Sequence, residues 1–295
     1  MNKTWLVVLY FSILPYVSVA QSVSDPLKAE FVTKDIPNFW IAFDSLQAGY
    51  KGNPFNDFYI SKGSPGIAAF MKSRIINADS LRNRVSRNKT KYLEKRESSL
   101  QFLNHKKQCI STYMALKYLY PDAVFPPVYF VIGRFNSGGH SHKNGLVIGA
   151  EMNEPNNVPY TVAHELIHYQ QQDIQESETN LLSACIAEGS ADFIAELISG
   201  GGPNAKTYAY GNTNEKKLWT EFKTIMYDKD NNHDWIYSYK PKNGYPPDLG
   251  YWMGYKITEA YYKKSTDKKK AIADILHIKD YRKFLKDSAY EERFK

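Results

Sequence analysis

Apolar residues recur at helical spacing in two neighbouring stretches. Val162, Ala163, Leu166 and Ile167 predict a helix that Asn156 or Asn157 can cap and that tolerates Pro159 in its first turn, where a missing N–H costs little. A second helix runs from Leu181 to Ile198, capped by Thr179 or Asn180 and stopped by Gly200-Gly201-Gly202-Pro203. Upstream, Leu100, Leu103, Ile110, Met114, Leu116 and Leu119 predict one long helix from Ser98 to Tyr120, ended by Pro121. Val128 to Ile132 and residues 145–151 read as buried strands, whereas the aromatic, turn-rich residues 21–60 predict only irregular or short elements. Helical patterns then cover Glu215 to Tyr227, Tyr251 to Lys263, Lys268 to Ile275 and Asp280 to Ala289. The fold class is α+β, a small sheet followed by a mainly helical lobe, with a cleft near residues 145–192.

Composition adds a location. Trp5 to Val19 is largely apolar, follows Lys3 and ends in Ser18-Val19-Ala20, so residues 1–20 read as a signal peptide cleaved after Ala20. The run is short and broken by Pro15, which argues against a stable membrane span after processing. The mature chain, residues 21–295, is expected to be exported, periplasmic or secreted, as one domain with two lobes. No cysteine lies near Ala20, which speaks against a lipid anchor at that point. Removing Lys3 with the leader lowers the net charge from +7 to +6. That modest excess, with stretches such as Arg82 to Lys95 and Lys263 to Lys270 reading as solvated faces, gives no support to nucleic-acid binding. Cys109 and Cys185 could form a bridge or remain two buried thiols, and oligomeric state is not set by the sequence.

The chemistry concentrates in the two central helices. His164 and His168, four residues apart, share a helix face and suit a single Zn2+ ion. Glu165 lies beside the first imidazole, placed to take a proton from a metal-bound water. Glu188, twenty residues beyond His168, supplies a third ligand if the second helix folds back alongside the first, and Ala184, Ala187, Ser190 and Ala191 favour close approach. Asp192, one turn on, is placed to accept the remaining N–H of a ligand histidine.

His164-Glu165-x-x-His168 followed by Glu188-Gly189-x-Ala191-Asp192 resembles the gluzincin zinc metallopeptidases, and Gly250-Tyr251-Trp252-Met253-Gly254-Tyr255 is similar to a segment of secreted bacterial zinc-dependent proteases of that type. Metzincins fit poorly, because Gln171 and Ile174 stand where their pattern places Gly and His. The resemblance implies a zincin-like domain over residues 21–295, with His164, His168 and Glu188 as ligands, Glu165 as general base and Asp192 behind the metal. It implies a peptide or protein substrate aligned along an edge strand, for which residues 145–151 are the candidate. Tyr251 or Tyr255 would stabilise the oxyanion, with His233 as a rival.

His140 and His142 occupy a glycine-rich loop and read as rim residues more readily than as ligands. Glu151 reads as a structural salt-bridge partner or as the end of the substrate edge, and Cys185 as a buried thiol. The expectation is an exported zinc peptidase. The alternative is a non-catalytic cell-envelope or binding protein that retains the fold and the zinc site.

Overall fold

A computed structural model describes residues 22–171, 180–229, 232–238, 241 and 244–295. The signal-peptide reading of residues 1–20, the capping role offered to Thr179 and the residue Ile174 lie outside the described residues.

The N-terminal half contains α1 (Asp35–Gln47), α2 (Pro65–Phe70), α3 (Ala78–Arg87), α4 (Lys89–Leu93), α5 (Arg96–Leu100) and α6 (Lys106–Leu119), around the strands β1 (Phe31–Val32), β2 (Val128–Val131), β3 (Gly139–His142) and β4 (Gly145–Gly149). Residues 21–60 are therefore more regular than expected, since the 13-residue α1 lies within that region. Its Pro37 falls in the first turn, where the missing donor is harmless, and Phe39, Trp40 and Phe43 bury their rings. The single helix expected from Ser98 to Tyr120 is broken into α5, a 3-10 turn at Phe102–His105, and α6. The break turns Phe102 into the core, edge-on to Phe130 with centroids 5.8 Å apart, while Leu100 and Leu103 face solvent.

The strand order is β1-β2-β4-β3. β2 runs parallel to β1 and β4, and β3 returns antiparallel to β4 through the turn at Lys143-Asn144. In that turn the Asn144 N–H donates to His142 Nδ1 at 3.2 Å, and Gly145 adopts φ 142, which suits glycine. β4 is buried on both faces and flanked on both sides, so residues 145–151 do not form the sheet edge proposed from sequence. The edges are β1 and β3, and β3, which the sequence predicts as a loop, is the edge beside β4. Its two glycines and two histidines lack the apolar alternation of a strand, and pairing with β4 imposes the conformation.

The second half is helical: α7 (Val158–Gln170), α8 (Leu181–Ser199), α9 (Ala205–Thr213), α10 (Glu215–Ile225), α11 (Leu249–Lys264), α12 (Lys268–Leu276) and α13 (Tyr281–Ser288). The fold is thus α+β, mostly helical with a small mixed four-stranded sheet among the described residues. Asn180 caps α8 in a reciprocal box with Ser183, and Gly200 ends it in the left-handed region, as the sequence predicts. Asn157 precedes α7 but makes no side-chain cap; a 3-10 turn at Pro155–Asn157 feeds directly into the helix. α8 packs against both α7 and α11. Its closest approach is to α11, where a Cβ on Gly189 would strike the Gly254–Tyr255 backbone and one on Gly254 would strike the Cys185 carbonyl. No helix among the described residues is long and apolar enough to cross a membrane.

Candidate metal centre

α7 and α8 lie side by side, so residues one turn apart on each can meet. His164 Nε2 and His168 Nε2 are 3.0 Å apart, and Glu188 Oε2 lies 3.0 Å from His168 Nε2 and 3.3 Å from His164 Nε2. Donors bound to zinc at about 2.0–2.1 Å with tetrahedral angles stand about 3.3 Å from one another, so the three atoms fit one such ion. The expected ligands do converge.

Hydrogen bonds behind the rings set their orientation. His164 Nδ1 is 2.8 Å from Asp192 Oδ1, the position foreseen for this carboxylate. Asp192 is itself held by two phenols, Tyr160 donating to Oδ1 and Tyr208 to Oδ2, each at 2.6 Å. For His168 the support is Gln171, whose Oε1 lies 3.1 Å from Nδ1. The proton on that bond can be assigned through a chain. The Ser190 hydroxyl donates to the Ala187 carbonyl at 2.9 Å and so accepts from Gln171 Nε2 at 2.9 Å, which turns the Gln171 oxygen towards His168. Both rings then carry hydrogen on Nδ1 and direct Nε2 at the common point, the orientation metal ligation requires.

Without a metal, protons hold this cluster together. Burial alone would push His164 down, but hydrogen bonds to Asp192 and Glu188 outweigh it and hold the imidazole well above its ordinary value. His168 is likewise raised by Glu188 against the effect of burial. Glu188, which burial would push up, is drawn well below the usual carboxylate range by the two histidines. A cation at the convergence point would replace those protons.

A cavity of about 440 Å³ opens onto the ligands, with Glu165, Tyr237, Tyr251, Arg74 and the segment from Asn136 to Ser141 in its walls. Glu165 is buried between α7 and β3, packed on Gly139, where a Cβ would collide with its carboxylate. Burial raises its pKa, and the Ser141 backbone N–H is among the groups that oppose the rise. Tyr251 stacks on the His164 ring, with centroids 6.2 Å apart at 20°. Tyr255, offered as its equal, does not line the cavity; its hydroxyl donates to Glu196 Oε2 at 2.6 Å and its ring packs on Phe193 and Tyr208. Four residues turn α11 by about 40° beyond a full revolution, and contact with α8 takes up that difference. His233 pairs with Asp228 at 2.7 Å and is likewise absent from the walls.

His140 lines the cavity from β3, with the His142 ring 6.3 Å away on the same strand face, and neither joins the three-ligand cluster. Glu151 forms no salt bridge among the described residues. It is buried, accepts from the Phe135 N–H at 3.2 Å, and is pushed up to about 7 by burial. Cys109 and Cys185 are free, buried thiols, which settles the choice left open by their spacing.

Tyr160, Tyr208, Gln171, Ser190 and Tyr237 were not foreseen. Tyr237 donates to Glu188 Oε1 at 2.9 Å from a segment in which His233, Asp234 and Tyr237 all have positive φ. Gln171, three residues from His168, and Tyr160, four before His164, carried a usable spacing signal.

Residues 150–292, just under half of the chain, match the model of a family described as Gliding motility protein GldB, labelled GldB_lipo. No curated protein and no solved structure matches the chain. The match corrects the gluzincin assignment and the hydrolase and metalloprotease functions drawn from it. It covers the ligand-bearing helices and α11, the segments on which that resemblance rested, and its description is of a motility protein rather than a peptidase. The roles of general base for Glu165 and oxyanion donor for Tyr251 or Tyr255 rested on that resemblance.

Proposed function

We propose that this chain is a non-catalytic, exported cell-envelope protein of gliding-motility type that binds one Zn2+ ion through His164, His168 and Glu188. The observation that carries the proposal is the coincidence of the family match over residues 150–292 with the three-donor cluster inside it. A zincin-like arrangement of a small sheet beside a ligand-bearing helix then serves binding. Asp192 and Gln171 keep both imidazoles in one tautomer, so the site is organised before the ion arrives. His164, His168 and Glu188 all line the cavity, so an ion held by them would be open to a ligand group or water from that side. Glu165 braces α7 against β3 in this reading.

The test pairs metal analysis with complementation. Purified wild-type protein is expected to hold one zinc per chain, and a His164→Ala/His168→Ala variant none. In a strain lacking the gene, gliding is expected to be lost, restored by wild type and by Glu165→Gln, and not restored by the double variant. Zinc-free wild-type protein, or Glu165→Gln that folds, holds zinc and fails to restore gliding, would overturn the proposal.

A further inference from the structure

The cavity has one strongly cationic rim. Between Met71 and Leu93 the chain carries seven lysines and arginines and one acid, Asp79, which accepts from Asn53 at 2.8 Å. Folding gathers several of these cations around the segment Gly133–Asn136. Arg84 Nε donates to the Arg134 carbonyl at 3.1 Å, and Arg134 Nε donates to the Arg74 carbonyl at 2.8 Å. Lys91 Nζ sits 4.0 Å from the centroid of the Phe135 ring. Asn136, next along, also donates to the Arg74 carbonyl and lines the cavity beside Arg74 itself. None of Arg74, Arg84, Lys91 and Arg134 has a salt bridge among the described residues. Arg74 Nε is buried there with no hydrogen-bond partner.

Four cations grouped around Gly133–Asn136, with Arg74 in the cavity wall, raise a positive potential on this side of the cavity; the acids nearby are Glu151, buried beneath Phe135, and the wall carboxylates Glu165 and Glu188, the latter paired with the two histidines. The cavity walls contain no aliphatic side chain; they are glycine, serine, asparagine, histidine, carboxylate, arginine and tyrosine. Such a lining has nothing to accept an acyl chain, which disfavours a lipid. A volume of about 440 Å³ admits a few residues of a chain, and the cations of α3 and α4 that adjoin Arg134 and Phe135, next to Arg74, would meet further negative charges in succession.

Resting on the binding-protein reading above, we infer that the cavity receives an acidic segment of a partner polypeptide, with one carboxylate against Arg74 and its neighbours along the rim of Lys91, Arg84 and Arg134. The three proposed zinc donors line the same cavity.

The probe is a fluorescein-labelled octapeptide rich in Asp and Glu, compared with its Asn/Gln counterpart by fluorescence anisotropy on zinc-loaded, full-length mature protein. The acidic peptide is expected to bind, to weaken steeply as salt is raised from about 50 to about 200 mM, and to outcompete its neutral counterpart. Arg74→Gln and Lys91→Gln should each weaken it roughly 3- to 10-fold, the size of one partly exposed charge contact, with zinc content and melting temperature unchanged. Equal binding of the two peptides, or unaltered affinity in both variants, would overturn the inference while leaving the zinc proposal intact. Capture of phosphatidylglycerol vesicles in place of the peptide would overturn it in favour of a membrane surface. Absence of zinc from wild-type protein would instead strike the reading beneath it.

Discussion

Asp192→Asn separates what holds the site from what binds in it. The carboxylate accepts three short hydrogen bonds in a buried position, from His164 Nδ1, Tyr160 and Tyr208. An asparagine of the same shape keeps one oxygen, which can still serve His164 and Tyr160, but it places an NH2 group opposite the Tyr208 hydroxyl. The Tyr160 bond becomes a neutral one, the His164 bond loses the carboxylate's charge, and the third must reverse. With charged bonds contributing about 1.5–3 kcal/mol and neutral ones about 1, the metal-free protein should lose roughly 2–3 kcal/mol of stability. Loss of a carboxylate behind a metal-bound histidine typically lowers affinity by about 10–100-fold, or roughly 1.4–2.7 kcal/mol. Urea unfolding in chelator measures the first quantity, and competition with a zinc-binding dye measures the second. A variant that folds and holds zinc as tightly as wild type would refute the role assigned to Asp192.

Other outcomes follow from the same geometry. Gly254→Ala should destabilise the fold by about 1–3 kcal/mol or more, because the new methyl meets the Cys185 carbonyl and drives α8 from α11; an unchanged melting temperature would contradict this. Zinc binding should release protons near neutral pH, since the His164 and His168 pKa values are raised in the metal-free protein, and calorimetry in buffers of different ionisation enthalpy reads that release. In chelator, the two histidines give stability that is fully present below their unfolded value of about 6.5 and is lost as pH rises through their higher folded values; urea midpoints across pH 6–9 check the sign. Glu151 binds its proton more tightly folded than unfolded, so stability should fall as pH rises from about 4.5 towards about 7, and Glu151→Gln should flatten that slope.

The central helices were legible because their information is local. Spacing placed His164, His168, Glu188 and Asp192 on faces that could meet, and the cap at Asn180 and stop at Gly200 follow from single residues. What escaped depends on distant partners. β3 is a strand because β4 lies beside it, and its own residues favour a loop. Tyr208 and Tyr237 reach the site from two other elements, and nothing in a chain of 23 tyrosines singles them out. Gly189 was read within a motif, whereas its structural consequence is contact between α8 and α11.

The motif misled about function for a related reason. Two imidazoles and a carboxylate specify a set of donor atoms, and donor atoms determine which ion fits, whereas a reaction requires further groups placed against the bond to be broken. Of the residues assigned to chemistry, Tyr255 is committed to Glu196, and Glu165 is wedged against Gly139 between helix and strand. Tyr251 stacks on the ligand His164. Most of the contacts made by these side chains and by Asp192 and Gln171 hold the two helices and the edge strand in place around the donors. A scaffold so arranged brings three donor atoms together at the wall of a cavity, and the family matched across these helices is described by movement of the cell.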